Sequence, residues 1–487
     1  MKRLAELIIL LAIALGLGPL FVLLLQQGVA ALPFDSSIMR VVAFTLKQAA
    51  LSTLLCVVPG IFVARALAKQ DFRGRALLLG LFALPQAVPA IVAVLGVTAI
   101  LGNAGLLPHV VSPYGLAGIL IAHVFFNLPL AVRLFFQALQ NVPQEAYKLG
   151  TQLGFDERAT FTTIEWPALK AVLPQTAAII FLLCAASFVI VLTLGGASSA
   201  TLEVAIYQSL RMDFDPARAL TLSLIQVAVC AVLITLAQAA LKQERAFATL
   251  RIGVQRFQRI GVVDITMIVI ACLIVLPPLA VVIAQGAGNL HFTRPTLLAL
   301  ATSLGLGLAS AVISMLLAWP LARGNGILTL AGLIFPPAVL ATGWFLLMRG
   351  WGDALVIPFI IALNALIALP FATAALRAGF AHISPQLMLL QKQLGLSGWN
   401  AFRIVTLPLL RRQAAQAFLM AMVLSLGDLT AITLLGNGGI ITLPTLMHAE
   451  MGRYRGNDAA GTALLLVLVC ALLTFAAQRM GNNDARS

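Results

Sequence analysis

Residues 143–167 read PQEAYKLGTQLGFDERATFTTIEWP, and residues 384–408 read SPQLMLLQKQLGLSGWNAFRIVTLP. Each stretch carries a glycine, Gly154 or Gly395, thirteen residues before a proline, Pro167 or Pro408. Ile164 and Val405 stand three residues before those prolines. One shift of 241 residues relates the two, and the same gap-free shift pairs Leu128-Pro129 with Leu369-Pro370, Gln175 with Gln416, Gly195 with Gly436 and Leu202 with Leu443. A register held from residue 128 to residue 202 is an internal duplication. Glycine can end a short helix in the left-handed region, and proline can open the next without wasting a backbone N–H. The expectation for each stretch is a helix, a turn and a second helix lying under a membrane, forming a protrusion on which a soluble subunit can dock.

Outward from these stretches the chain is apolar. Of its 487 residues 61% are hydrophobic and 10% charged, against about 25% charged in a soluble domain. Lipid is therefore the solvent for most of the surface. Runs of about 20 apolar residues are long enough to cross a bilayer as helices. They are expected near 4–28, 41–64, 76–100, 114–138, 172–194 and 217–241, then near 262–285, 297–321, 327–348, 354–377, 413–435 and 459–478. The first follows Lys2 and Arg3 but is too long for a secretory signal and is read as a retained anchor.

The fold expected is an all-α integral membrane protein with about twelve transmembrane helices, arranged as two parallel six-helix repeats. The first repeat is 1–241 and the second 262–487, joined by a basic linker over 242–261. An even number of spans per repeat gives both the same orientation, with a pseudo-two-fold axis along the membrane normal.

The formal charge of +14 is a topology signal rather than a nucleic-acid footprint. With the N-terminus inside, 23 of the 31 Lys and Arg fall in cytoplasmic segments, as the positive-inside rule requires. Both termini are then cytoplasmic. The cysteines Cys56, Cys184, Cys230, Cys272 and Cys470 all lie in apolar spans and are unpaired at short spacing, and the five histidines are scattered. No metal site, disulfide framework or cofactor is expected.

The two quoted stretches resemble the membrane components of ATP-binding-cassette importers, whose permeases carry an E-A-A, Gly, I-x-L-P signature in this loop. This chain departs from it at the acidic-Ala-Ala positions, which read Lys148-Leu149-Gly150 and Leu389-Leu390-Gln391. Glu145 lies three residues earlier in the first half, and Gln386 takes its place in the second. The segments SPYGLAGILIAHVFFNLPLAVRLFFQALQNVP and TLEVAIYQSLRMDFDPARAL are similar, more specifically, to the fused permeases of thiamine importers. That resemblance implies thiamine and its phosphates as cargo, a periplasmic binding protein, and ATP-binding-cassette ATPase subunits, expected as a homodimer, acting on coupling loops that contain Glu145, Gly154, Ile164, Pro167, Gly395, Val405 and Pro408. The chain has no Gly-Lys pair and hence no phosphate-cradling Walker loop, so ATP hydrolysis is expected on separate subunits and no enzyme activity on this one.

Asp428 falls inside the eleventh expected span, where a charge costs about 3 kcal/mol unless it meets water or a partner. It either lines the pathway of a cationic substrate or bonds a hydroxyl such as Ser425 or Thr430. Glu203, Asp213, Asp215 and Glu450 are expected on outer segments, within reach of a binding protein, and Trp344 and Trp351 in the aromatic belt. Two alternatives stay open at this stage. One is an importer permease for ferric iron, a polyamine or an oxyanion. The other is a major-facilitator secondary transporter, which shares the two-times-six plan and whose basic loop is faintly matched by Lys69 to Arg75.

Overall fold

The computed structural model describes residues 2–28, 33–69, 72–103, 105–108, 110–196, 199–242, 261–324, 327–330, 335–348, 355–381, 383–436 and 438–482. The expected basic linker lies almost wholly outside them, as does Trp351. Among the described residues there is no strand. Among the same described residues nine helical stretches are long and apolar enough to cross a membrane, and one bent pair, taken as one span, makes ten.

Eight of the nine fall on expected spans without interruption, the first seven being α1 (Lys2–Gln27), α2 (Ser36–Lys69), α5 (Leu116–Gln140), α11 (Pro216–Lys242), α12 (Val262–Gly288), α13 (Arg294–Leu321) and α15 (Val356–Ala381). The last helix, α21 (Gly456–Asn482), does the same. The expected span 76–100 is instead two helices, α3 (Arg75–Ala87) and α4 (Ala90–Leu101), meeting at 106°. Their break is Val88-Pro89, both extended in ψ, because proline disfavours the helical region for the residue before it. Within the expected span 327–348 the described residues form a 3-10 turn (Ile327–Leu330) and α14 (Pro337–Met348), which begins at the second of two prolines, Pro336 and Pro337.

The repeat recurs in the elements. In the first half α6 (Gln144–Gln152), α7 (Glu157–Thr160), a π turn (Phe161–Glu165), α8 (Trp166–Ala185), α9 (Val189–Leu194) and α10 (Leu202–Arg211) follow one another. Moved by 241 residues they become α16 (Pro385–Gln393), α17 (Gly398–Ala401), a π turn (Phe402–Thr406), α18 (Leu407–Leu426), α19 (Thr430–Leu435) and α20 (Leu443–Gly452). The spans expected at 172–194 and 413–435 are thus each broken, over 186–188 and 427–429. The starts of α10 and α20 are tied down in the same way. Thr45 Oγ1 accepts the Leu202 N–H at 3.0 Å, and Ser303 Oγ accepts the Leu443 N–H at 2.9 Å.

The first helix of each half packs on the other half. α1 lies against α13 and α14 as well as α11 of its own half, and α12 lies against α2, α4 and α5 as well as α21 of its own half. Both crossings are made at glycines in the same place, the seventh residue of α4 and of α14. A Cβ on Gly343 would sit 1.6 Å from the Gly16 carbonyl oxygen, and one on Gly96 would sit 2.6 Å from that of Pro278. Close backbone approach at small residues is how helices pack in lipid, where apolar contact by itself gives no preference for protein over tail. The swapped helices are peripheral, with 22% of α1 and 28% of α12 buried, against 67% of α5 and 61% of α15. Leu4, Leu7, Leu11, Val269 and Leu273 on them are exposed, as a lipid-facing surface requires.

Candidate functional site

Both repeated loops have the helix, turn and helix that their spacing predicts. Gly154 and Gly395 adopt φ of +71° and +67°, the left-handed region that glycine enters without penalty. The second helix differs from expectation. It starts at Asp156, whose carboxylate accepts the Ala159 N–H at 2.7 Å, and runs without a break through the π turn into α8. Pro167 and Pro408 therefore do not open a helix. Each lies just after a π turn inside a continuous helix that carries the loop directly into α8 or α18. The wider π turn accommodates the N–H that proline lacks.

The remaining expected loop residues take distinct places. Glu145 is exposed in the first turn of α6, where the helix dipole favours a carboxylate. Ile164 packs beneath α6 at Gly150, where an added Cβ would meet its Cδ1 at 2.9 Å. Val405 holds the matching position in the second loop, with Gln391 in place of Gly150, and the two line a cleft with Arg323, Phe380 and Leu387. Pro167 and Pro408 are exposed.

The two loops are fastened to the bundle by different chemistry. Under the first, Arg65 Nε donates to Glu165 at 2.5 Å and its Nη1 to Glu157 at 3.1 Å, while its guanidinium covers the Phe161 ring at 5.1 Å. Lys69 pairs with Glu157 and with both oxygens of Asp264, at 3.0 and 2.7 Å. Lys69, Glu165 and Asp264 are buried. Under the second loop, Gly398 and Thr406 stand where Glu157 and Glu165 stand in the first. There Trp319 meets Phe402 and Phe380 edge-on at 5.0 and 6.0 Å, and Trp399 stacks on Phe402 at 5.1 Å. Sequence reading missed the ionic cluster. Its signal was faint: Arg65 and Lys69 are four apart on one helix face, and Asp264 is three residues into an apolar span.

Other expected residues are moved by the tertiary structure. Glu203 does not face outward. It is fully buried in the first turn of α10, against the α14 face of the other half, and cannot meet a docked protein. Trp344 leaves the expected aromatic belt as well. It is 1% exposed, and its Nε1 donates to the Ala12 carbonyl of α1 at 3.2 Å. Asp213 is exposed, Asp215 caps α11 by accepting the Arg218 N–H at 3.0 Å, and Glu450 accepts the Thr462 hydroxyl at 2.9 Å. Asp428 lies in the break between α18 and α19, half-buried, with its two oxygens accepting the N–H groups of Thr430 and Ala431 at 3.0 and 2.9 Å. The Thr430 side chain joins these backbone groups as a partner. Each half also holds buried polar contacts between spans, Ser52 with His123 at 2.9 Å and Asn364 with Ser425 at 3.0 Å. His123 and Asn364 are related by the 241-residue shift. Among the described residues no group of His, Cys, Asp and Glu is placed to hold a metal.

Residues 57–244 match the family of binding-protein-dependent transport system inner membrane components. The thiamine transport system permease protein ThiP of Brucella abortus (strain 2308) is 42% identical over 500 residues, covering 95% of this chain and 92% of that protein. ThiP of Escherichia coli (strain K12) is 39% identical, covering 93% and 91%, and that of Haemophilus influenzae 33%, covering 90% and 88%. Two repeated halves bearing equivalent loops, matched over 90% or more of the chain by these relatives, place the chain in the family of thiamine transport system permeases, fused multi-pass inner-membrane subunits of ATP-binding-cassette importers.

Proposed function

We propose that this chain is the membrane channel of an importer that moves thiamine and its phosphates from periplasm to cytoplasm. The observation that carries the reading is likeness to thiamine permeases over 95% of the chain. Neither the fold nor the relatives favour another cargo or a facilitator mechanism. Hydrolysis of ATP belongs to separate subunits. One protruding loop per half, with the same helix-glycine-helix geometry, suits two copies of one ATPase, so a homodimer is the expected partner. The charge pattern supports cytoplasmic termini and loops, and the division into 1–241, 242–261 and 262–487 follows the duplication.

The mechanism is alternating access. Closure of the ATPase dimer pushes on the loops, and because each loop helix continues into a span, the push reaches α8 and α18 without an intervening hinge. Glu145 is offered to the ATPase, and Gly154, Gly395, Ile164, Val405, Pro167 and Pro408 shape the loops. Asp428, half-buried at a break in a span, is the candidate pathway carboxylate for a cation. Radiolabelled thiamine uptake should require this chain, its ATPase, the binding protein and ATP together in proteoliposomes. Uptake driven by an ion gradient without ATPase would overturn the reading.

A further inference from the structure

Asp264 opens α12, the swapped first helix of the second half, yet its carboxylate binds Lys69, the last residue of α2 in the first half. Lys69 in turn pairs with Glu157, in the first turn of the first loop's second helix. One ammonium group thus joins three elements: α2, the docking loop of the first half, and a helix whose sequence belongs to the second. The join is built to hold. Lys69 and Asp264 are 2% and 8% exposed, and Asp264 Oδ2 also accepts the Gly261 N–H at 2.9 Å, which fixes the carboxylate on its own helix. Buried charges persist only when paired in good geometry.

The second half provides an internal comparison. A shift of 258 residues, which brings Thr45 onto Ser303 and Ser52 onto Ser310, places Arg65 on Arg323 but Lys69 on Ile327. With Gly398 at the position of Glu157, this charge link is not reproduced there, and the aromatic contacts of Trp319 and Phe402 take over the docking of the loop.

We propose that Asp264, acting through Lys69, is a positioning residue for transport: it fastens α12 to the first docking loop so that the two move as one body when the ATPase closes. This rests on the reading of the loops as ATPase-docking elements. The drive is then unequal, because the Lys69–Asp264 link of the first side has no counterpart at Ile327 and Gly398.

The test uses the complete complex of permease, ATPase and binding protein in proteoliposomes, with ATP hydrolysis and thiamine uptake followed in the same vesicles. Asp264→Asn keeps an oxygen for the Gly261 N–H and removes the charge. The expected result is an assembled complex that still hydrolyses ATP but moves about three- to ten-fold less thiamine per ATP, a change of the size that coupling residues produce. Asp264→Glu should restore the wild-type ratio, which a merely space-filling role would not demand. An unchanged ratio in assembled Asp264→Asn overturns the proposal. Should that variant not co-purify with the ATPase, a Lys69→Cys, Asp264→Cys pair decides. Bridged by a short reversible thiol cross-linker it should couple normally and lose coupling on reduction, whereas cross-linked protein that cannot transport shows that the contact must open and overturns the link. Wild-type complex that fails at ATP-driven uptake sinks the importer reading instead, whatever Asp264 does.

Discussion

Single glycines decide whether the two halves can interlock. At Gly343 the space a methyl group needs is already filled by the Gly16 carbonyl, whereas a Cβ on Gly18, two residues further along α1, meets nothing within 4 Å. Overpacking typically costs about 1–3 kcal/mol. Gly343→Ala should therefore lower the melting temperature of the detergent-solubilised protein, with Gly18→Ala neutral, and equal melting of the two variants would contradict the close crossing. Asp428 is a case in which sequence located the residue and one partner, Thr430, but not the backbone bonds. Expense in lipid singled it out, yet it also accepts from backbone N–H groups exposed by a helix break that no local pattern announced. If Asp428 faces a cation in the pathway, Asp428→Asn, which can still accept from that backbone, should reduce thiamine uptake while melting stays near wild type. Unchanged uptake would leave only its role at the break.

At the scale of elements, the loops were the most legible part. The thirteen-residue spacing of glycine and proline announced a helix, a turn and a helix, because a left-handed residue and a missing N–H are constraints that act within a few residues. The register of the second helix was not legible. Pro167 reads as a helix start by the usual preference, but Asp156 caps the chain eleven residues earlier and the π turn absorbs the proline. Proline cannot take the φ of +71° found at Gly154, whose N–H also donates to the Thr151 carbonyl at 3.1 Å. Such a misfit costs about 1–3 kcal/mol of backbone strain. Gly154→Pro should accordingly detach or uncouple the ATPase, read as loss of thiamine-stimulated ATP hydrolysis, while the spans still insert. Normal ATP-driven uptake by that variant would remove the loop from the mechanism.

For the whole molecule, the crossing of α1 and α12 means that neither half is complete by itself. α1 and α12 each bridge the halves, α12 resting on α21 as well as on the first half, and Trp344 is covered by α1. Expressed as two chains divided within 242–261, the halves should co-purify without the covalent join, and each alone should aggregate. Independent, well-behaved halves would contradict the swap.

Sequence alone determined the properties that arise from short-range physics: a lipid solvent, read from hydropathy; the placing of most spans, though not the breaks within 76–100, 172–194 and 413–435; the duplication; and the left-handed turns of the two loops. Tertiary structure decided which faces meet. It buried Glu203 and Trp344 at the seam between halves, joined Lys69 to Asp264 across 195 residues of chain, and gave the two equivalent loops an ionic and an aromatic anchorage. Apolar helices in lipid have no strong preference for one neighbour until small residues and charges come into register, and that register is a property of packing.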